Sequence, residues 1–129
     1  MFTIEQIKLA HSKVKSGADF PAYIKELKQL GVLSYETFVA DGHTVYHGAG
    51  EELVSSEAKY DKLSVAPSGN ADQFKADLKA HQQGKTDYLA FCNDCAKSGI
   101  IKWIVSILEM TCIYYDTNGN EILAEQIPQ

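Results

Sequence analysis

The side chains with the clearest capacity for chemistry are two cysteines three apart, in Phe91-Cys92-Asn93-Asp94-Cys95, and two histidines four apart, in His43-Thr44-Val45-Tyr46-His47. On a helix Cys92 and Cys95 share a face, which suits a redox dithiol or one half of a zinc site. A zinc site needs two more ligands, and no second Cys-x-x-Cys or Cys/His pair follows at finger spacing. A reactive dithiol sits at a helix N-terminus after a strand, where the dipole favours the thiolate. Here a helical pattern precedes the motif, and the expectation is two packed thiols, since free cysteine is readily buried as a small hydrophobe.

His43 and His47 fall on one face of a strand, and a tight hairpin at Asp41-Gly42 would set Glu36 opposite His47. Two nitrogens and a carboxylate form a facial set for a metal. Four residues along a strand nevertheless separate Cα atoms by roughly 13 Å, too far for one ion without a bulge. The reading preferred is an exposed cross-strand pair of Glu36 and His47, with no metal and no cofactor. His11 and His81 interrupt apolar helical stripes and are expected to be buried and hydrogen-bonded. No nucleophile-elbow or zinc-protease motif accompanies any of the four histidines. The Gly48-Ala49-Gly50 run is followed by Glu51-Glu52, whose carboxylates would repel phosphate.

These residues must be positioned by a single domain, because 129 residues with 45% hydrophobic content supply one core and not two. A net charge of −5 argues against nucleic acid, whose phosphates are held by clustered Lys and Arg. The longest apolar reading, residues 100–115, is broken by Lys102, Ser106 and Glu109, so no membrane insertion is expected. The N-terminal residues lack the charged and apolar regions of a secretory signal. Three cysteines without such a signal fit free thiols in a reducing compartment, and a cytoplasmic location is the expectation.

Two stretches match in pattern at an offset of about 68 positions. Gly31-Val32-Leu33-Ser34-Tyr35 lies over Gly99-Ile100-Ile101-Lys102-Trp103, and Phe20, Tyr23, Ile24 and Leu27 lie over Tyr88, Phe91, Cys92 and Cys95. The domain is therefore read as repeat one, about residues 1–54, a linker at 55–70, and repeat two, about 71–127. The twin positions of Cys92 and Cys95 are core aliphatics, which strengthens the packed-thiol reading.

Each half reads as helix, helix, hairpin. Thr3 and Gln6 have capping-box spacing before the stripe Ile4, Ile7, His11, Val14. The second helix places Pro21 in its first turn and Gly31 just past its last stripe residue; its counterpart runs from near Asp87 to before Gly99. One hairpin face carries Tyr35, Thr37, Val39, Thr44 and Tyr46 and its twin Trp103, Val105, Ile107, Cys112 and Tyr114, so this face is assigned to the helices. Glu109-Met110 is poor chemistry for a tight turn, which predicts a bulge or longer loop. Third strands can begin at 50–54 and 119–123, and Leu63, Val65 and Ala66 suit a short edge strand. The fold class is α+β: two helix-helix-β-hairpin repeats forming a mainly antiparallel sheet with helices on one face.

The opposite face then carries Phe38, Val45, Ile104, Leu108, Ile113 and Tyr115, an apolar interaction face. It is expected to be covered by residues 55–70 and the C-terminal tail, by a second copy, or by a ligand.

The runs Ala10–Val32, Ala40–Gly48, His81–Cys92 and Met110–Glu121 resemble a family of short bacterial and prophage-encoded proteins labelled "phage envelope protein", over nearly the whole chain. The resemblance implies a prophage setting and no activity, substrate or catalytic residue. The reading adopted is a non-enzymatic module binding a protein or a small apolar ligand, with a homodimer or a host or phage protein as partner. The alternatives are a small enzyme using a metal at His43, His47 and Glu36 or the thiols Cys92 and Cys95, and a minor virion component.

Overall fold

A computed structural model gives the architecture and describes residues 2–14 and 19–127. The chain runs α1 (Ile4–His11), α2 (Phe20–Leu30), β1 (Ser34–Phe38), β2 (Thr44–His47), β3 (Leu53–Ser55), α3 (Ala71–Gln82), α4 (Tyr88–Lys97), β4 (Ile100–Ser106), β5 (Thr111–Asp116) and β6 (Glu121–Gln126). The four helices start and stop where local chemistry directs. Thr3 accepts from the Gln6 N–H at 3.2 Å while Gln6 accepts from the Thr3 N–H at 2.8 Å, a complete capping box. Asn70 and Asp87 cap α3 and α4 through the N–H groups of Gln73 and Ala90. After α4 the chain turns at Gly99, with φ +77°, and a Cβ there would collide with the Ser68 backbone. Only glycine meets both demands.

The strands form one sheet in the order β3-β2-β1-β4-β5-β6, with every neighbouring pair antiparallel. Helix, helix and three strands occur in that order on either side of the β1–β4 seam, where Tyr35 pairs with Val105 and Thr37 with Trp103. The halves differ in detail: α1 has 8 residues and α3 12, β3 has 3 and β6 has 6. The expected hairpins are thus three-stranded units.

The inner sheet face is the face expected. Tyr35, Thr37, Val39, Thr44, Tyr46, Trp103, Val105, Ile107, Cys112 and Tyr114 are all buried, and the helices contribute Ile7, Ile24, Leu27, Phe74, Phe91, Cys92 and Cys95 to the same core. The first hairpin corrects the predicted register. Thr37 pairs with Thr44 and Ser34 with His47, so residues 39–42 form the loop, and Glu36 faces Val45 instead of His47. Val39 is the cause: it is fully buried and its N–H donates to Ile101 O at 3.0 Å across the seam, so it cannot also pair within its own hairpin. Asp41-Gly42 still turns the chain, with the Asp41 carboxylate accepting from the His43 N–H at 3.0 Å. A shift of two residues keeps every side chain on its face. The second hairpin closes through residues 107–110, and Ile107 is buried as Val39 is, its N–H donating to Leu33 O at 2.9 Å.

Residues 56–70 correct a second expectation. They form no strand and do not cross the outer sheet face; they run over the helix side of the molecule. Leu63 N–H donates to Ala40 O, Ala66 N–H to Ala96 O and Asn70 N–H to Ser98 O, while Tyr60, Leu63 and Val65 pack against the core. The C-terminal tail, through Gln126, extends the sheet at its edge as β6 and does not fold over its outer face.

Candidate functional site

The thiols are enclosed. Cys92 and Cys95 project from α4 into the core, both fully buried, as are Ile24 and Leu27 of α2. Burial pushes the Cys92 and Cys95 thiols up from their ordinary range, and Cys112 is pushed up to about 12, again chiefly by burial. The hydroxyls of Tyr60 and Tyr88 lie near Cys92, and Tyr60 donates to Val39 O at 2.6 Å. A nucleophilic thiol needs the thiolate and access. This environment favours neither.

The proposed metal set is not gathered. Glu36 accepts from Lys102 Nζ at 2.8 Å on the neighbouring strand. His43 lies in the hairpin loop, its ring stacked on Phe38 at 4.5 Å and its Nδ1 2.6 Å from the Asp41 carboxylate. That carboxyl is held below its ordinary range, first by the His43 backbone N–H and then by its ring. His47 stands at the other end of the strand pair, between Ser34 and Leu53. Among the described residues no group of three His, Cys, Asp or Glu could hold a metal ion.

The remaining histidines stay within their own halves. His81 Nδ1 lies 3.1 Å from Thr86 O and its ring stacks on Phe91 at 4.4 Å. His11 is not buried as expected, because α1 ends there and leaves the ring at the surface with its edge against Tyr23 at 5.2 Å.

Two features of the surface are candidates for binding. The outer sheet face holds a row in which Val45, Glu36, Ile104, Ile113 and Ala124 lie side by side across five strands. Phe38 and Lys102 form the next row, with Lys102 Nζ 5.7 Å from the Tyr115 ring centroid. Towards the other end of the strands, Leu33, Ser34, His47, Ser106 and Leu108 surround a shallow depression of about 520 Å³, and Leu108 is 70% exposed. The charges at the centre of the face, Glu36 and Lys102, are paired with one another.

The second feature was not legible from spacing. Between α1, β2 and the start of residues 56–70 lies a cavity of about 230 Å³ lined by Ile4, Ile7, Lys8, His11, Tyr46 and Lys59. Partial burial and the Lys59 charge lower the His11 pKa; burial and the Lys8 charge lower that of Lys59. His11 on an apolar stripe was the one signal of this site, since Lys59 comes from a segment with no periodicity.

No curated protein matches the chain. No helix among the described residues is long and apolar enough to cross a membrane. Residues 8–126 match the model of a family described as "Protein of unknown function (DUF1398)", and the chain belongs to that family.

Proposed function

We propose that the protein is a non-enzymatic interaction module whose outer sheet face seats a second copy of the same chain. The observation that carries this reading is that the described helices, residues 56–70 and the β6 tail lie on the opposite face or at the edge, leaving Ile104 and Ile113 side by side, with Val45 on the far side of Glu36, without cover among the described residues. The outer face of a two-layer antiparallel sheet is ordinarily polar, an apolar row there marks an interaction site, and two sheets stack about 10 Å apart when they pack face to face. A two-fold contact uses the same patch on both partners. The face suits it, because Glu36 and Lys102 form an ion pair within the chain and burial strands neither charge. The prophage setting implied by the resemblance fits a small module that works by binding its partner, and the enclosed thiols and dispersed histidines favour this reading over an enzyme.

Methyl NMR over a dilution series tests it. Ile104 and Ile113 methyl signals should shift with protein concentration while those of the core residues Ile24 and Ile100 stay fixed. Signals of all four that are indifferent to concentration from the micromolar to the millimolar range, in a protein that tumbles as a single 14.3 kDa chain, would overturn the reading.

A further inference from the structure

The cavity beside α1 has a chemistry that its surroundings do not explain. The chain carries 17 acidic and 12 basic residues, yet the charged groups at this mouth are Lys8, Lys59 and, when protonated, His11. Neither lysine forms an ion pair among the described residues. Lys8, Lys59 and His11 line the same cavity and no carboxylate does, so cation faces cation. Such an arrangement is unfavourable when empty and is relieved by an anion.

The rest of the lining sets the ligand's other half. Ile4 and Ile7 form an apolar wall on α1, and Tyr46 of β2 completes the lining, 5% exposed. At about 230 Å³ the cavity falls below the ~300–1,000 Å³ of pockets for drug-sized molecules.

We propose that this cavity binds a small carboxylate with a short apolar body, the carboxylate between Lys8 and Lys59 at the mouth and the apolar part against Ile4 and Ile7. The site is separate from the outer sheet face, lying on the helix side.

Hexanoate is the probe. Titrated into the full chain and followed by backbone amide shifts, it should give saturable changes at Ile7, His11 and Ser56, with half-saturation below about 1 mM. Lys59→Gln and Lys8→Gln should each weaken binding about fivefold or more, and Lys59→Arg should retain it, since a single charge at contact distance is worth about fivefold even when fully screened by water. Both lysines are exposed, and an unchanged melting temperature identifies the variants as folded. Hexanol, which keeps the body and lacks the charge, should bind at least tenfold more weakly. Equal binding of hexanol, hexanoate affinity indifferent to both lysine substitutions, shifts produced by inorganic phosphate and not by hexanoate, or no saturable shift at all would each overturn the proposal.

Discussion

Replacing Cys92 or Cys95 by alanine separates a packing role from a chemical one, and the structure predicts similar costs. Each change deletes one fully buried sulfur. Treated as somewhat more than a methylene with its residual cavity, that loss is about 1–1.5 kcal/mol for either variant. For a chain of this size this corresponds to a melting-temperature loss of roughly 3–7 °C. Urea unfolding at pH 7 under reducing conditions reads the loss, and native-state labelling with a thiol reagent provides the control. Rapid labelling of either cysteine in the folded protein, or alanine variants as stable as the parent, would refute the packed-thiol account.

The other predictions concern backbone, an orphaned hydroxyl and pH. Gly99→Ala should cost about 2–4 kcal/mol, because the positive φ and the collision with the Ser68 backbone act together, whereas Gly50→Ala, at φ +66° with open space around it, should cost only about 1 kcal/mol; denaturant unfolding of the pair checks this. Ser98→Ala should be neutral or stabilising by up to about 1 kcal/mol, since Ser98 Oγ is buried with no hydrogen-bond partner; an unfolding curve shifted to lower urea would contradict it. Stability should fall as pH rises through the window from 9 to 12. A thiol whose folded pKa is raised stays protonated in the fold while the unfolded chain releases its proton, so the contribution of Cys112, with an ordinary value of 9.0 raised to about 12, is present below pH 9 and is lost up to about pH 12, at about 1.4 kcal/mol per unit. Cys112→Val should flatten that slope in a pH series of urea unfolding curves.

Much of the fold was legible because its signals are local. Thr3 and Gln6, Pro21 and Gly31, and Asp87 and Gly99 bracket helices by chemistry that acts within a turn. Alternation along 35–39 and 103–107 identified the buried face, since period two survives a register error. The register itself was missed because Asp41-Gly42 is a strong local turn signal and the competing demand is not local: Val39 bonds Ile101, which is more than sixty positions away in the chain. The path of residues 56–70 was lost for the same reason, as Leu63 and Ala66 are held by Ala40 and Ala96 and not by their own sequence neighbours. The candidate sites divide along this line. Phe38, Val45, Ile104, Ile113 and Tyr115 were placed together by periodicity, while Lys8 and Lys59 meet at one cavity only through tertiary structure.

The central claim is that the outer sheet face is an interface between two copies. Sedimentation equilibrium of the native chain and of Ile113→Lys measures it most directly, because a lysine at this exposed-face position burdens the contact and leaves the helix-side core intact. The account predicts twice the chain mass of 14.3 kDa for the native protein and the single mass for a folded Ile113→Lys. A native protein that sediments as a monomer at all concentrations, or a variant that stays dimeric, would contradict it.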